Sequence, residues 1–204
     1  VGKSQDDACN PLFGVWTTSN KIDGPLAWER MALAMDAGQT QLATHLETYL
    51  PASQKPIARE WREVYRDPTR LKDLNRYRAW GNQAKPLVKT GMARLVRKNA
   101  AMALQLWPRY EWTFAFNADE KSVILKELAF VVGANYADNA DYWLAQALQY
   151  ETNTDLAPLA VRNSLRKKDW TRVRALLALV EESPTDEAEW RYWAARSTEN
   201  VPAL

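Results

Sequence analysis

Gly24-Pro25-Leu26-Ala27-Trp28-Glu29-Arg30-Met31-Ala32-Leu33-Ala34-Met35-Asp36-Ala37-Gly38 is the stretch that decides the fold class of this chain. Trp28, Met31, Ala32 and Met35 recur at i, i+3, i+4 and i+7, the spacing that gathers side chains on one face of an α-helix. Pro25 follows Asp23-Gly24 near the first helical position, where a missing N–H costs nothing. Gly38 stands where a left-handed C-cap belongs. Start, apolar face and stop are thus all written locally.

The same grammar continues in both directions. Upstream, Leu12, Val15 and Trp16 mark a helix over Asp7 to Ser19. Downstream, Leu42, Leu46, Tyr49 and Leu50 share a face and Pro51 stops the helix. Lys55-Pro56 opens another, carrying Ile57, Trp61, Val64 and Tyr65. A short piece over Arg70 to Leu74 precedes a helix from Arg76 to Thr90, bent at Pro86, and one from Met92 to Trp107, ended by Pro108. Asn117-Ala118-Asp119-Glu120 reads as a capping box ahead of Ile124, Leu128, Val131 and Val132. Asp138 to Tyr150 carries Tyr142, Ala145 and Leu148, and Asp155 to Lys168, Trp170 to Glu181 and Thr185 to Ser197 complete the series. Short connections make successive helices antiparallel. Arg30 to Pro51 and Arg162 to Pro184 each enclose a helix–turn–helix, a weak internal echo. Helical hairpins that cannot bury a face alone stack on their neighbours. The expected fold is therefore all-α, a superhelical stack of short antiparallel helices, with residues 1–204 forming one region.

Composition agrees. Ala and Leu total 53 residues against 15 Val and Ile, and Gly only 7. Small and straight-chain residues keep their rotamer freedom in a helix, whereas β-branched ones lose it. Ten Trp, eight Tyr and four Phe supply far too much burial for a disordered chain. No window approaches the ~18 consecutive apolar residues of a membrane span. One Cys, Cys9, excludes an internal disulfide framework, and one His, His45, excludes a two-His metal site. No cofactor is expected. His45, between Leu42 and Leu46, reads as a partly buried structural residue. Gly2-Lys3-Ser4 imitates the end of a phosphate-binding loop but lacks the upstream Gly and strand that such a loop needs. The opening residues contain no basic and apolar leader, so a processed chain or a piece of a longer one is expected.

Charge is segregated. The formal net charge is +2, yet Lys55 to Tyr110 holds 14 Lys and Arg against four Asp and Glu. From Leu74 through Tyr110 there is no acidic residue. Arg76, Arg78, Lys85, Lys89, Arg94, Arg97, Lys98 and Arg109 therefore form the candidate set for glycan or anion contact. Arg94, Arg97 and Lys98 follow i, i+3, i+4 spacing and are expected on one helix side. Such a face repels itself unless acidic groups of the fold or an external anion screen it.

Two stretches carry a family resemblance. Gly2-Lys3-Ser4-Gln5-Asp6-Asp7-Ala8-Cys9-Asn10-Pro11-Leu12-Phe13-Gly14-Val15-Trp16, continuing through Pro25 to Gly38, resembles the helical region of soluble lytic murein transglycosylases. Glu189-Trp190-Arg191-Tyr192-Trp193-Ala194-Ala195 resembles a second signature of that region, in the right order and at about the right separation. The resemblance implies a periplasmic enzyme that cleaves the β-1,4 bond between N-acetylmuramic acid and N-acetylglucosamine in peptidoglycan, leaving a 1,6-anhydro product. It implies a superhelical U-shaped region that closes into a ring with a separate lysozyme-like catalytic domain. This chain would be a fragment of the U-shaped region.

The family's catalytic Glu lies in a Glu-Ser pair accompanied by Gly-Leu-Met-Gln and Asn-Ala-Gly strings. Here Glu182-Ser183 is a bare dipeptide before Pro184, and neither string occurs. No catalytic residue is expected in the chain, so by itself it should be inactive. Cys9 reads either as a small buried hydrophobe or, on the resemblance, as half of a disulfide to an upstream Cys. Trp28, Trp61 and Trp143 fall on apolar stripes and are expected in the core. Trp80, Trp107 and Trp112 stand beside Arg or Lys and are candidates for sugar stacking. Trp190, Tyr192 and Trp193 are expected to leave apolar surface near the C-terminal end. The expected partners are peptidoglycan and the enzyme's own catalytic domain, with no nucleic acid and no membrane span. An independent helical-repeat protein-binding module is the rival reading, and a basic nucleic-acid binder a weaker one.

Overall fold

The computed structural model describes residues 23–180 and 187–199. Gly2-Lys3-Ser4, Cys9, the helix expected over Asp7 to Ser19 and Glu182-Ser183 lie outside the described residues. Within them the chain is helical and without strands. Helix α1 spans Gly24–Asp36, α2 Thr40–Glu47 and α3 Lys55–Arg66. A 3₁₀ turn over Pro68–Lys72 leads to the short α4, Leu74–Arg78, and another over Gly81–Ala84 to α5, Lys85–Lys98. Then follow α6, Ala100–Thr113, α7, Ala118–Ala134, and α8, Ala140–Ala147. After a 3₁₀ stretch over Glu151–Leu156 come α9, Ala157–Arg166, α10, Trp170–Val180, and α11, Glu187–Glu199.

One device turns three helical hairpins. After α1, Gly38 N–H donates to Met35 O and Gln39 N–H to Ala34 O. After α7, Tyr136 N–H donates to Gly133 O and Ala137 N–H to Val132 O. After α9, Lys168 N–H donates to Leu165 O and Asp169 N–H to Ser164 O. This paired closure is the Schellman motif, which needs a left-handed residue at the turn. Gly38 has φ 75°, Tyr136 49° and Lys168 57°. The second helix of each pair then packs back on the first, α2 on α1, α8 on α7 and α10 on α9. The weak echo between Arg30–Pro51 and Arg162–Pro184 thus has a common turn geometry behind it.

The described residues belong to two compact units. The first takes the chain through Leu95 together with Pro108–Ala115; the second takes Val96–Trp107 and the chain from Phe116 onward. In the first, Met31, Met35, Ile57, Trp61, Leu87 and Met92 are buried, and Trp28 leans on Trp61 with ring centroids 5.7 Å apart. Gly91 lets α5 come close to α3: a Cβ there would lie 2.5 Å from Val64 Cγ1 and 3.1 Å from Leu71 Cδ1. In the second, Ile124, Leu128, Trp143, Leu144, Val161 and Leu177 are buried. Asn153 is buried among them, its amide donating to Ser122 O at 3.2 Å and Ala147 O at 3.1 Å.

Several local expectations change. The helix expected over Arg76 to Thr90 is broken, because Gly81 adopts φ 54° and Pro86 takes the second position of α5 rather than bending a longer helix. The break before α6 comes at Asn99, whose side chain accepts the Met102 N–H at 3.0 Å. Pro108 does not end that helix; α6 runs through it to Thr113. Pro108 is exposed, so water can reach the carbonyl it leaves without a backbone donor. The following turn is anchored by buried Tyr110, whose hydroxyl donates to Leu71 O at 2.7 Å. On α8 the buried face is Ala140, Trp143, Leu144 and Ala147, not Tyr142, Ala145 and Leu148, and Tyr142 is exposed. His45 is exposed and meets Tyr49 edge-on, not partly buried. Trp190 is buried with the Arg162 guanidinium over its ring, so near the C-terminal end Tyr192 is exposed and Trp193 half-buried.

Candidate functional site

Cationic side chains shape two of the recesses among the described residues of the first unit. The larger chemical variety lies where α2, α3 and α5 present Thr40, Gln41, Thr44, Arg62, Tyr65, Arg66 and Arg94 around an open cleft of about 370 Å³. The amphipathic α3 explains part of it. Ile57, Ala58, Trp61 and Val64 are buried, which turns Arg59, Arg62 and Arg66 toward the α2 side or solvent. Glu47, on the buried side of α2, accepts from Arg59 Nε at 2.9 Å and pairs with Arg62. Arg62 also donates to Thr44 Oγ1 at 2.9 Å, while its buried Nε has no acceptor among the described residues. Arg66 pairs with Glu63 at 2.8 Å. Arg94 lies over the Tyr65 ring, 3.7 Å from its centroid, and its Nε donates to Tyr65 O at 2.7 Å. Gly38 is needed beside this site for more than its turn, since a Cβ there would fall 2.8 Å from the Tyr65 hydroxyl.

The second recess is a shallow groove of about 370 Å³ bordered by Leu74, Pro108, Arg109, Trp112 and Thr113. Trp112 is 92% exposed. An indole so open gains little from folding and offers a flat apolar face beside a cation.

The residues expected to contact glycan or anions meet different partners in the structure. Arg76 is committed to Glu60 at 3.1 Å and lies 3.9 Å from Asp73. Lys89 pairs with Asp36 at 2.6 Å. Arg97, in the second unit, pairs with Glu127. Arg94 lies over the Tyr65 ring and donates from Nε to Tyr65 O. Arg78 and Lys98 are exposed, Lys85 is half-buried at the start of α5, and Arg109 borders the Trp112 groove. Three cations of the acid-free segment, Arg76, Lys89 and Arg97, are therefore paired with carboxylates from elsewhere in the chain. Among the three candidate sugar platforms, Trp107 is buried against Phe116 and is excluded, and Trp80 is half-buried edge-on to Tyr77. Trp112 alone of the three is open.

Arg62, Arg66 and Tyr65 were not singled out by sequence. Their only advance signal is the Arg-x-x-x-Arg spacing at 62 and 66, one helical turn apart on the polar side of α3. Glu60 is a further charged centre. It accepts from Arg70 Nε at 2.9 Å, Arg70 Nη2 at 2.8 Å, Arg76 Nη1 at 3.1 Å and the Tyr77 hydroxyl at 3.1 Å. Burial pushes its carboxyl upward, but the Arg70, Arg76 and Tyr77 donors outweigh this and hold it below the usual glutamate range. Burial, and then the Glu60 charge, push the Tyr77 hydroxyl well above its ordinary value, so it remains a donor. Among the described residues no group of His, Cys, Asp or Glu could hold a metal ion, and no helix is long and apolar enough to cross a membrane.

Fold and recesses together define an all-helical scaffold with shallow cationic and aromatic contact surfaces. No family model matches the chain. It is 30% identical over 197 residues to the soluble lytic murein transglycosylases of Salmonella typhimurium and of Escherichia coli K12, covering 96% of this chain and 30% of each relative. In structure it is similar to an inactive mutant of the lytic transglycosylase Slt from Pseudomonas aeruginosa, with TM-score 0.82 and 29% identity over 98% of this chain and 32% of that one. It is also similar to the 70 kDa soluble lytic transglycosylase solved with bulgecin A, with TM-score 0.74 at the same identity and coverage. These likenesses make the chain similar, over nearly its whole length, to a helical part of soluble lytic murein transglycosylases. It spans about a third of the length of those relatives.

Proposed function

We propose that the chain is a non-catalytic helical part of a periplasmic lytic transglycosylase, one that cleaves the MurNAc–GlcNAc bond of peptidoglycan with an anhydro product. Its own work is architectural: as one superhelical region over residues 1–204 it forms part of a ring with the enzyme's catalytic domain and guides glycan strands toward it. The observation that carries this reading is the alignment of nearly the whole chain on about a third of a lytic transglycosylase, at TM-score 0.82. The open Trp112 face beside Arg109 supports the guiding role, because a pyranose ring stacks its C–H face on an indole while a guanidinium donates to its hydroxyls. The test uses purified peptidoglycan sacculi. The chain should release no anhydro-muropeptides, yet be retained by sacculi, and Trp112→Ala should weaken that retention. Release of anhydro-muropeptides by the rigorously purified chain would overturn the non-catalytic assignment. Retention indifferent to Trp112 would remove the guiding surface.

A further inference from the structure

We infer that the cleft formed by α2, α3 and Arg94 is a carboxylate-binding site, suited to the free C-terminal carboxylate of a short peptide. Arg94 is the recognising group. Its Nε is spent on Tyr65 O, and the Tyr65 ring under the guanidinium holds its plane. Among the described residues neither terminal nitrogen of Arg94 makes a hydrogen bond and no carboxylate pairs with it, which leaves the Nη1–Nη2 edge as an oriented two-donor fork. That edge matches the two oxygens of a carboxylate, and an Arg already held in place loses little freedom on binding.

The other charged side chains of the lining, Arg62 and Arg66, have the same sign. Arg62 and Arg66 stand in the cleft wall, and Thr40, Gln41 and Thr44 supply neutral polar groups. No carboxylate lines the cleft. Glu47 and Glu63, which pair with Arg62 and Arg66, leave Arg94 uncompensated. A recess of about 370 Å³ sits at the small end of ligand pockets, enough for one or two amino-acid residues rather than a polymer strand. None of this depends on what the longer protein does, for the groups all belong to one compact unit.

The test titrates the full chain, observed by amide NMR, with acetyl-Ala-Ala bearing a free carboxylate, with the same peptide amidated, and with inorganic phosphate. The free acid should shift the Thr40, Gln41 and Thr44 amides saturably. Amidation should weaken binding about tenfold or more, the loss of a charge-assisted bidentate pair. Arg94→Lys keeps the charge but not the fork and should also cost about tenfold. Arg66→Gln, at a side chain 68% exposed, leaves the fold undisturbed and should weaken binding by a smaller factor that shrinks as salt rises. Unchanged amide spectra outside the cleft verify that each variant is folded. Equal binding of acid and amide, phosphate binding as tight as the acid's, or no saturable shift at millimolar peptide would each overturn the assignment.

Discussion

Glu60→Ala removes the acceptor on which two arginines and a tyrosine converge. The Glu60 side chain is 11% exposed, and the Arg70 and Arg76 side chains are 36% and 43% exposed. Once freed, the arginines recover much of their hydration, so the full strength of two charged hydrogen bonds is not lost. Tyr77 cannot recover in this way, because it is completely buried and its hydroxyl loses its only acceptor among the described residues. A stranded buried donor costs about 1–3 kcal/mol, and the weakened arginine contacts add about 1 kcal/mol. The expected destabilisation is therefore about 2–4 kcal/mol. Urea unfolding followed by circular dichroism and by hydrogen exchange would measure it, the second probe separating the two compact units. In a double-mutant cycle, Tyr77→Phe should recover about 1 kcal/mol of the loss, since no donor is then left unpaired. The carboxyl also dictates a pH signature. Its folded value lies below the unfolded one, so its contribution is present above the ordinary glutamate range near ~4.3 and disappears as pH falls through the folded value. Glu60→Gln should flatten that acid limb. A loss below about 0.5 kcal/mol in Glu60→Ala would place it among ordinary surface changes and refute the reasoning.

Gly91→Ala gains about 1 kcal/mol of helix propensity but drives a methyl to 2.5 Å from Val64 Cγ1; overpacking of about 1–3 kcal/mol should win, and adding Val64→Ala should reverse part of the loss in thermal melts. Lys168→Gly places the permissive residue at φ 57° and should raise stability by up to about 1 kcal/mol, whereas Gly38→Ala, at φ 75° and 2.8 Å from the Tyr65 hydroxyl, should lower it. Trp112→Ala should leave the melting temperature unchanged to about 1 °C while reducing sacculus retention, because the indole is 92% exposed and contributes almost no burial.

What was legible in the sequence was what neighbouring residues settle among themselves. Gly38 closes α1 as read, and the capping box at Asn117 forms with both bonds at 2.8 Å. Of the three indoles expected in the core, Trp61 and Trp143 are buried and Trp28 is half-buried. Locally ambiguous signals failed where packing had the deciding vote. Pro108 reads as a stop, but Tyr110 and Phe114 are buried beyond it and carry the helix onward. Tyr142 and Trp143 are adjacent, so a small rotation of α8 chooses between them, and burying the larger indole is the better outcome.

The candidate site shows the division more sharply. The charge run from Leu74 to Tyr110 was visible at once, but its carboxylate partners Asp36, Glu60 and Glu127 all lie outside that run. Arg94 became distinct from its neighbours only when Tyr65 came beneath it, 29 residues earlier in the chain. By itself the sequence determined that this protein is helical and where most hairpins turn, because propensity, capping and apolar period act within a few residues. Only the tertiary structure decided which cations are neutralised, which indole stays open and which guanidinium keeps an unfilled edge. Electrostatic pairing and burial depend on distance in space, and residues tens of positions apart meet only when the helices pack.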